Sequence, residues 1–222
     1  YLDAALSRYF DNISIHDVFN LPDTFTKIPT TDSQTFLPNQ FKRSARPGYQ
    51  PSVINHLTYT QTFERLINSK MQKLKLPKNF NCIHIRRGDK VGEAAYLISG
   101  LTGGTESKRH EVEDYIQKCN LSTKSTFIMT DDYQSKNEVK QYLQQNNLDH
   151  KLYYITTEQQ IGHCSITENN TGKSYTIQEL VDLFTEIEIA KQSQQFIGTE
   201  SSNIYRYIKN QCVNNTEFIS LD

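Results

Sequence analysis

The 222-residue sequence has no tryptophan and only nine glycines, six prolines and four cysteines. It also has no apolar run near the roughly 20 residues that a membrane-spanning helix needs, so no membrane segment is predicted in this chain. The formal net charge is −1, with basic and acidic residues interspersed. Nucleic-acid-binding proteins concentrate Lys and Arg on one surface, so a nucleic-acid partner is disfavoured. Any anionic ligand is expected to be small and locally bound.

Several motifs that define common sites are missing as well. No CxxC pair is present and no histidine lies at zinc-finger spacing, so no metal site is predicted. The motifs G-x-G-x-x-G, G-x-x-x-x-G-K-[ST] and G-x-S-x-G are also absent, which disfavours dinucleotide, P-loop and serine-hydrolase sites. Four Asn-X-Ser/Thr sequons leave the compartment open between the secretory pathway and the cytoplasm. The redox state is equally open for the cysteines Cys82, Cys119, Cys164 and Cys212.

The pattern along the chain changes near Asn79. Residues 1–78 are predicted to form an N-terminal segment of helices and loops. Within it, Thr60 is expected to cap a helix that carries one apolar face. That face comprises Phe63, Leu66, Ile67, Met71 and Leu74.

Residues 79–222 alternate strands with helices. This order predicts an α/β fold, in which a Rossmann-like parallel sheet is covered by helices on both faces. The predicted strands are 82–86, 127–130, 151–156 and 195–199. The predicted helices are 112–119, 135–146, 177–187 and one that begins at Ser202.

Three polar clusters follow predicted strands. Ligands of open parallel sheets bind beyond the carboxyl ends of the strands, so the three clusters are expected to meet at one edge. The first contains Arg86, Arg87, Gly88, Asp89 and Lys90; the second contains Thr130, Asp131 and Asp132; the third contains Thr199, Glu200, Ser201, Ser202 and Asn203.

The residue types in these clusters suit a diphosphate. Arginine presents a planar fork of donors to phosphate oxygens, and adjacent arginines at a strand end point in different directions. One of the pair can therefore face a ligand while the other pairs with a carboxylate such as Asp89. Ser201 and Ser202 add hydroxyls and helix-opening amides. For each cluster taken alone, a structural salt bridge or a plain helix N-cap remains the alternative interpretation.

The run IHIRRGDKVGEAAY (83–96) resembles the donor-binding signature of the α1,6-fucosyltransferases that modify the N-glycan core or chitin oligosaccharides. Segments 112–116, 127–132 and 186–203 resemble further elements of that family. The resemblance extends over about residues 79–210 and implies the donor-binding lobe of a GT-B-type enzyme. In that arrangement residues 1–78 would be a reduced acceptor-side part, and the chain could belong to a longer polypeptide.

The resemblance also implies roles for individual residues around the donor GDP-fucose. Arg86 would bind the β-phosphate with Arg87 supporting the same pocket, and His84 and Glu186 would contact guanine. Asp89, as a carboxylate that can pair with an arginine, is counted with the same donor site. Tyr115 would lie near the donor, and Asp131 and Asp132 would order the loops around it. The diphosphate site would be completed by Ser202 and Asn203, next to Ser201, whose hydroxyl is assigned to the same anion by the residue pattern.

Catalysis is assigned by the same resemblance. Glu93 would deprotonate the acceptor hydroxyl, and Lys90 would hold the Glu93 carboxylate. Arg86 would stabilise the leaving diphosphate, so that a single displacement inverts the anomeric centre. No cofactor and no metal would be required, and the partners would be a nucleotide-sugar donor and a glycan acceptor.

Other functions fit parts of the same pattern. The run HIRRGD also resembles the α1,2-fucosyltransferase motif, and protein O-fucosyltransferases share a looser arginine strand. A transferase that uses another deoxyhexose donor, such as a rhamnose nucleotide, would need the same kind of diphosphate-binding residues. An inactive nucleotide- or glycan-binding module is the alternative from a different class, because residues 1–78 are too few for a complete first lobe.

Overall fold

The structure is a computed structural model that describes residues 19–20, 58–87, 109–157, 177–212 and 215–222. Within these residues the chain forms two small N-terminal strands and then an alternation of strands and helices. The strands are β1 (Phe19–Asn20), β2 (Thr58–Tyr59), β3 (Asn81–Ile85), β4 (Ser125–Thr130), β5 (Lys151–Tyr154), β6 (Gln195–Gly198) and β7 (Glu217–Ser220). The helices are α1 (Gln61–Leu74), α2 (Val112–Lys118), α3 (Tyr133–Gln145), α4 (Ile177–Ala190) and α5 (Asn203–Gln211).

Strands β3 to β7 form a five-stranded sheet in the order β5-β4-β3-β6-β7, and every neighbouring pair is parallel. The central strand β3 has all five residues buried. Ile83 aligns with Ile128 on β4 and with Ile197 on β6. The carboxyl ends of β4, β3 and β6 are therefore adjacent, which positions the residues that follow them.

Alternation along the strands separates two hydrophobic cores, one on each side of the sheet. On one side Cys82, Phe127 and Phe196 pack with α4 and α5. On the other side Ile83 and Ile128 pack with α2 and α3. Helices thus cover both faces, and the predicted α/β fold with a parallel sheet is confirmed.

Helix α1 and the small β1–β2 ladder pack against α4. Phe63 and Ile67 on α1 are buried with Leu180 and Val181 on α4. Thr60 caps α1 as predicted, since its Oγ1 accepts a hydrogen bond of 3.3 Å from the amide of Phe63. The division of the chain at residues 78 and 79 remains a prediction.

Several details differ from the sequence-based expectation, among them that β4 begins at Ser125 rather than at 127. Leu66 is 45% exposed, so it lies outside the buried face of α1. Strand β5 ends at Tyr154 rather than at 156, and α3 begins at Tyr133 rather than at 135. Strand β7 was not predicted, because four residues that pair on only one side carry little periodic signal. Its position beside β6 matters for the site described below.

Two features are absent from the described residues. No helix there has the length and apolar character needed to cross a membrane. No group of three or more His, Cys, Asp or Glu side chains in the same part of the chain could hold a metal ion.

Candidate functional site at the carboxyl edge of the sheet

The candidate site begins where β3 and β4 end side by side. Asp131 follows β4 and contacts both arginines that follow β3. Its Oδ1 accepts a hydrogen bond of 3.0 Å from the backbone amide of Arg87, and its Oδ2 forms an ion pair with Nη1 of Arg86. Both side chains of that ion pair are largely buried. Asp131 thus fixes the end of β3 and orients the Arg86 guanidinium, while its role in ordering loops around a donor stays a prediction.

Arg87 points to the opposite side of the sheet, towards α2 and α3. Its side chain is buried and donates to the carbonyl of His110 at 2.9 Å, to Oγ of Ser135 at 3.3 Å and to Oε2 of Glu138 at 3.4 Å. The sequence predicted that the two arginines diverge, and they do. Their carboxylate partners in the described chain are Asp131 and Glu138, which the sequence analysis did not pair with them. Arg87 therefore supports the edge from within the fold.

Asp132 has a local structural role. It is the N-cap of α3, and its Oδ1 accepts from the amide of Gln134 at 3.1 Å. Its Oδ2 accepts from Oγ of Ser135 at 3.2 Å. A short polar side chain at this position satisfies amides that the first helical turn leaves unpaired. Asp132 thus sets where α3 starts and places Ser135 against Arg87.

His84 occupies the last part of β3 on the side that carries α4 and α5. It is only 3% exposed, and its ring stacks on Phe196 with a centroid distance of 6.2 Å. Burial, helped by the charge of Arg86, lowers the pKa of His84 to about 4. The imidazole is therefore neutral near pH 7. Its Nδ1 is buried and has no hydrogen-bond partner among the residues that the structure describes.

Glu186 lies on α4 and is buried on the same side of the sheet as His84. Burial raises its pKa well above the ordinary value, and the nearby charges of Asp182 and Asp131 add to this effect. The pKa of Cys82 on β3 is raised mainly by burial and secondly by the nearby charge of Glu186. The two residues predicted to contact a base thus lie on one side of the sheet, below the edge that carries Arg86.

The third cluster follows β6 and leads into α5. Ser202 is the N-cap of α5, but its side chain makes no capping hydrogen bond to the first turn. The amide of Ser202 donates to the carbonyl of Thr199 at 3.0 Å. The helix start is therefore shaped by a backbone turn, and its first amides are not satisfied by the Ser202 hydroxyl. This is the local arrangement that favours an anion at a helix N-terminus.

Ser201 has a partner that the sequence analysis missed. Its amide donates to Oδ2 of Asp222 at 2.8 Å, and Oδ1 of Asp222 lies 3.4 Å from Nε2 of His110. Burial alone would raise the pKa of Asp222, but hydrogen bonds from Ser201 and His110 outweigh it and lower that pKa. Strand β7 carries Asp222 to this place. The contact could be found only by knowing that residues 217–220 add a strand beside β6.

Tyr115 is buried in α2, where its ring meets His110 edge-on at a centroid distance of 6.3 Å. Burial raises the pKa of Tyr115 to about 12, although the charge of Arg87 opposes the shift. Tyr115 therefore belongs to the α2 side of the sheet, together with Arg87. Its predicted proximity to the donor stays a prediction.

Several predicted residues lie outside the described part of the chain. These are Gly88, Asp89, Lys90 and Glu93. Asn203 is the first residue of α5. The described residues bring Arg86, Arg87, Asp131 and Asp132 into direct contact or immediate succession, and they place Ser201 and Ser202 after the adjacent strand β6. Convergence of Arg86 with Ser201 and Ser202 on one diphosphate stays a prediction. The Arg87 guanidinium is bound by His110, Ser135 and Glu138 on the opposite side of the sheet.

Comparison with known proteins gave structural neighbours only. No family model matches the chain, and no curated protein matches it. One solved structure, POFUT1 in complex with GDP, aligns with a TM-score of 0.49 and 13% identity over 77% of this chain and 51% of its own. POFUT1 in complex with GDP-fucose aligns with a TM-score of 0.48 and 12% identity over 77% and 50%.

A third solved structure is the fucosyltransferase NodZ from Bradyrhizobium. It aligns with a TM-score of 0.38 and 12% identity over 77% of this chain and 47% of its own. The chain therefore spans about half the length of the structures it matches. At this identity the likeness concerns the fold alone.

Proposed function

We propose that this chain binds a nucleotide-sugar donor as part of a glycosyltransferase, with GDP-fucose as the donor. The observation that carries the proposal is the buried Nδ1 of His84, two residues before Arg86, which has no hydrogen-bond partner in the described part of the chain. Buried polar atoms almost always have a hydrogen-bond partner, so an orphaned one at a ligand edge points to a bound group. Arg86, whose guanidinium pairs with Asp131, follows β3, and the adjacent strand β6 leads into a helix start without a side-chain cap.

The base would lie on the α4 side of the sheet. A neutral imidazole can accept one hydrogen bond and donate another, and the Glu186 carboxyl can do the same when it is protonated. Both groups lie in buried surroundings, where a hydrogen bond to a ligand is not weakened by competing water. The family resemblance assigns guanine to His84 and Glu186, and their common side of the sheet supports this.

The diphosphate would be bound at the edge itself. Arg86 offers a fixed, permanently charged fork, and the start of α5 offers backbone amides and the hydroxyl of Ser202. As the bond to the sugar breaks, negative charge grows on the departing diphosphate. Donors that are already oriented stabilise this charge without further reorganisation, which lowers the barrier. We therefore assign leaving-group stabilisation to Arg86. Arg87 and Asp131 hold the backbone after β3 in the conformation that positions Arg86.

The acceptor chemistry rests on residues outside the described ranges. Glu93 would take the proton from the acceptor hydroxyl while that oxygen attacks the anomeric carbon, and Lys90 would hold the carboxylate in place. The oxygen–carbon bond forms as the carbon–phosphate-oxygen bond breaks. A single displacement of this kind inverts the anomeric centre, and the arginine site supplies the positive charge that a metal would otherwise bring.

The proposal is tested by turnover of GDP-fucose with a panel of oligosaccharide acceptors. We expect the wild type to release GDP and form a fucosylated product. Arg86→Lys should lower kcat/KM by at least about a hundredfold, because a lysine cannot reproduce bidentate donation to the developing charge. Arg65→Lys, on the exposed surface of α1, is the matched control and should leave turnover unchanged.

Two results would overturn the enzymatic assignment. The first is binding of GDP without hydrolysis or transfer for any acceptor, which indicates an inert binding module. The second is equal turnover by Arg86→Lys and the wild type. Transfer from a rhamnose nucleotide in preference to GDP-fucose would keep the enzyme class but replace the donor sugar.

A further inference from the structure

Lys136 on α3 is a buried lysine whose neighbours are aromatic rings. It is only 6% exposed, and its Nζ lies 3.7 Å from the centroid of the Tyr133 ring and 4.7 Å from that of the Tyr154 ring. Lysine is almost never fully buried unless it is paired with an acid. Among the residues that the structure describes, no carboxylate lies within ion-pair distance of Lys136.

The position of Lys136 relates it to the candidate donor site. Lys136 lies in the first turn of α3, directly after the Asp131–Asp132 cluster, and Tyr154 is the last residue of β5. Strand β5 pairs with β4 in parallel, with Tyr154 opposite Ile128. The lysine and the two rings therefore lie at the same carboxyl edge as Arg86, displaced towards the β5 end of the sheet. Tyr154 is 39% exposed, so one ring of this group faces solvent.

The charge balance at this place is incomplete. An ammonium group that loses water is costly, and attraction to aromatic faces replaces only part of the lost hydration. An anionic group that contacts Nζ would supply the missing charge and a strong hydrogen bond. Tyrosine rings and hydroxyls in turn suit saccharides, since they present an apolar face with a polar tip.

We propose that Lys136, Tyr133 and Tyr154 form a second binding site, which takes the carboxylate or phosphate of an acidic saccharide. Because the site lies at the donor edge but is separate from Arg86, it would bind part of the acceptor. That acceptor assignment rests on the proposed function, whereas binding of the acidic saccharide does not. The site would select acceptors that carry a negative charge near the reacting sugar.

The test is a titration followed by NMR, with glucuronate, glucose 6-phosphate, inorganic phosphate and glucose as probes. The wild type should bind one or both acidic sugars more tightly than glucose or phosphate, and the two acidic arms distinguish carboxylate from phosphate. Lys136→Met keeps the aliphatic stem but removes the charge, so it should raise the Kd of the acidic sugar at least about tenfold.

The matched control is Lys151→Met. Lys151 also lies over a tyrosine, at 4.9 Å from the centroid of the Tyr153 ring, but at the opposite end of β5. Its replacement should leave the Kd unchanged. If Lys136→Met does not fold, the wild type still decides the question, because bound acidic sugar must shift the ring signals of Tyr133 and Tyr154.

Three outcomes would overturn the site. They are absence of acidic-sugar binding to the wild type, an affinity for both acidic sugars no higher than that for glucose or inorganic phosphate, and unchanged affinity in a folded Lys136→Met variant. Titration of the same samples with GDP separates this proposal from the donor proposal. Lys136→Met should bind GDP as the wild type does, and a failure of GDP to bind the wild type would count against the donor site alone.

Discussion

Replacing Gly198 by alanine should destabilise the fold and disturb the donor edge together. A Cβ added at this position would come within 2.8 Å of Cδ2 of Tyr205 and 3.4 Å of Cβ of His84. Tyr205 cannot easily give way, because it is 1% exposed and stacked on Phe196 at a centroid distance of 5.2 Å. Tyr205 belongs to α5, so a displaced ring moves the helix start that carries Ser202.

The expected change in the free energy of unfolding is the sum of two opposing effects. Forcing an extra methyl into a packed core typically costs about 1–3 kcal/mol. The backbone of Gly198 is not in the left-handed region, so alanine gains about 0.4–1 kcal/mol by restricting the unfolded chain. We therefore expect the free energy of unfolding to fall by about 1–2 kcal/mol, measured by urea denaturation. We also expect weaker GDP binding by the same variant.

A double-mutant cycle identifies the cause. In a Tyr205→Val background the clashing Cδ2 is absent, so Gly198→Ala should cost at least about 0.5 kcal/mol less than it does in the wild type. A Gly198→Ala protein as stable as the wild type, or an equal cost in both backgrounds, would refute the packing argument. Unchanged GDP affinity in a destabilised variant would refute the coupling between Tyr205 and the α5 start.

Two further predictions concern a cap and a titration. Thr60→Ala removes the acceptor for the Phe63 amide, so it should lower the free energy of unfolding by about 1 kcal/mol in urea denaturation. Thr60→Ser keeps an acceptor and should retain most of the wild-type stability. Equal stability of the two variants would contradict the assignment of Thr60 as the helix cap. The pKa of His84 is about 4 in the folded protein against an ordinary value of 6.5, so the unfolded chain binds a proton first as the pH falls. The free energy of unfolding of the wild type should therefore decrease between pH 6.5 and pH 4, by up to about 3 kcal/mol. His84→Gln should remove this contribution, and an unchanged pH profile of urea unfolding in that variant would contradict the assigned burial.

The fold was predictable because its long elements carry clear periodic signals. Helix α4 repeats apolar residues at helical spacing, and β3 and β4 are short apolar runs that end in charged residues. Parallel topology then determined that the residues after β3, β4 and β6 share one edge, which is why Arg86 and Asp131 could be placed near each other. The divergence of Arg86 and Arg87 followed from side-chain alternation alone.

Specific partners could not be obtained in this way. The sequence does not show that Glu138 on α3 and the carbonyl of His110 receive Arg87, because these contacts depend on how α2 and α3 pack on the sheet. Asp222 was missed for a related reason: its contact with Ser201 exists only because β7 extends the sheet next to β6. The buried Lys136 was also missed, since a lysine in a polar helix gives no sign that tyrosines enclose it.

The most direct test of the central claim is a calorimetric titration of the wild type with GDP, UDP and dTDP. We expect a single site that prefers GDP, with affinity reduced at least about tenfold in Arg86→Lys and unchanged in Arg65→Lys. Absence of GDP binding, or tighter binding of UDP, would contradict the assignment of His84, Glu186 and Arg86 to a guanine nucleotide.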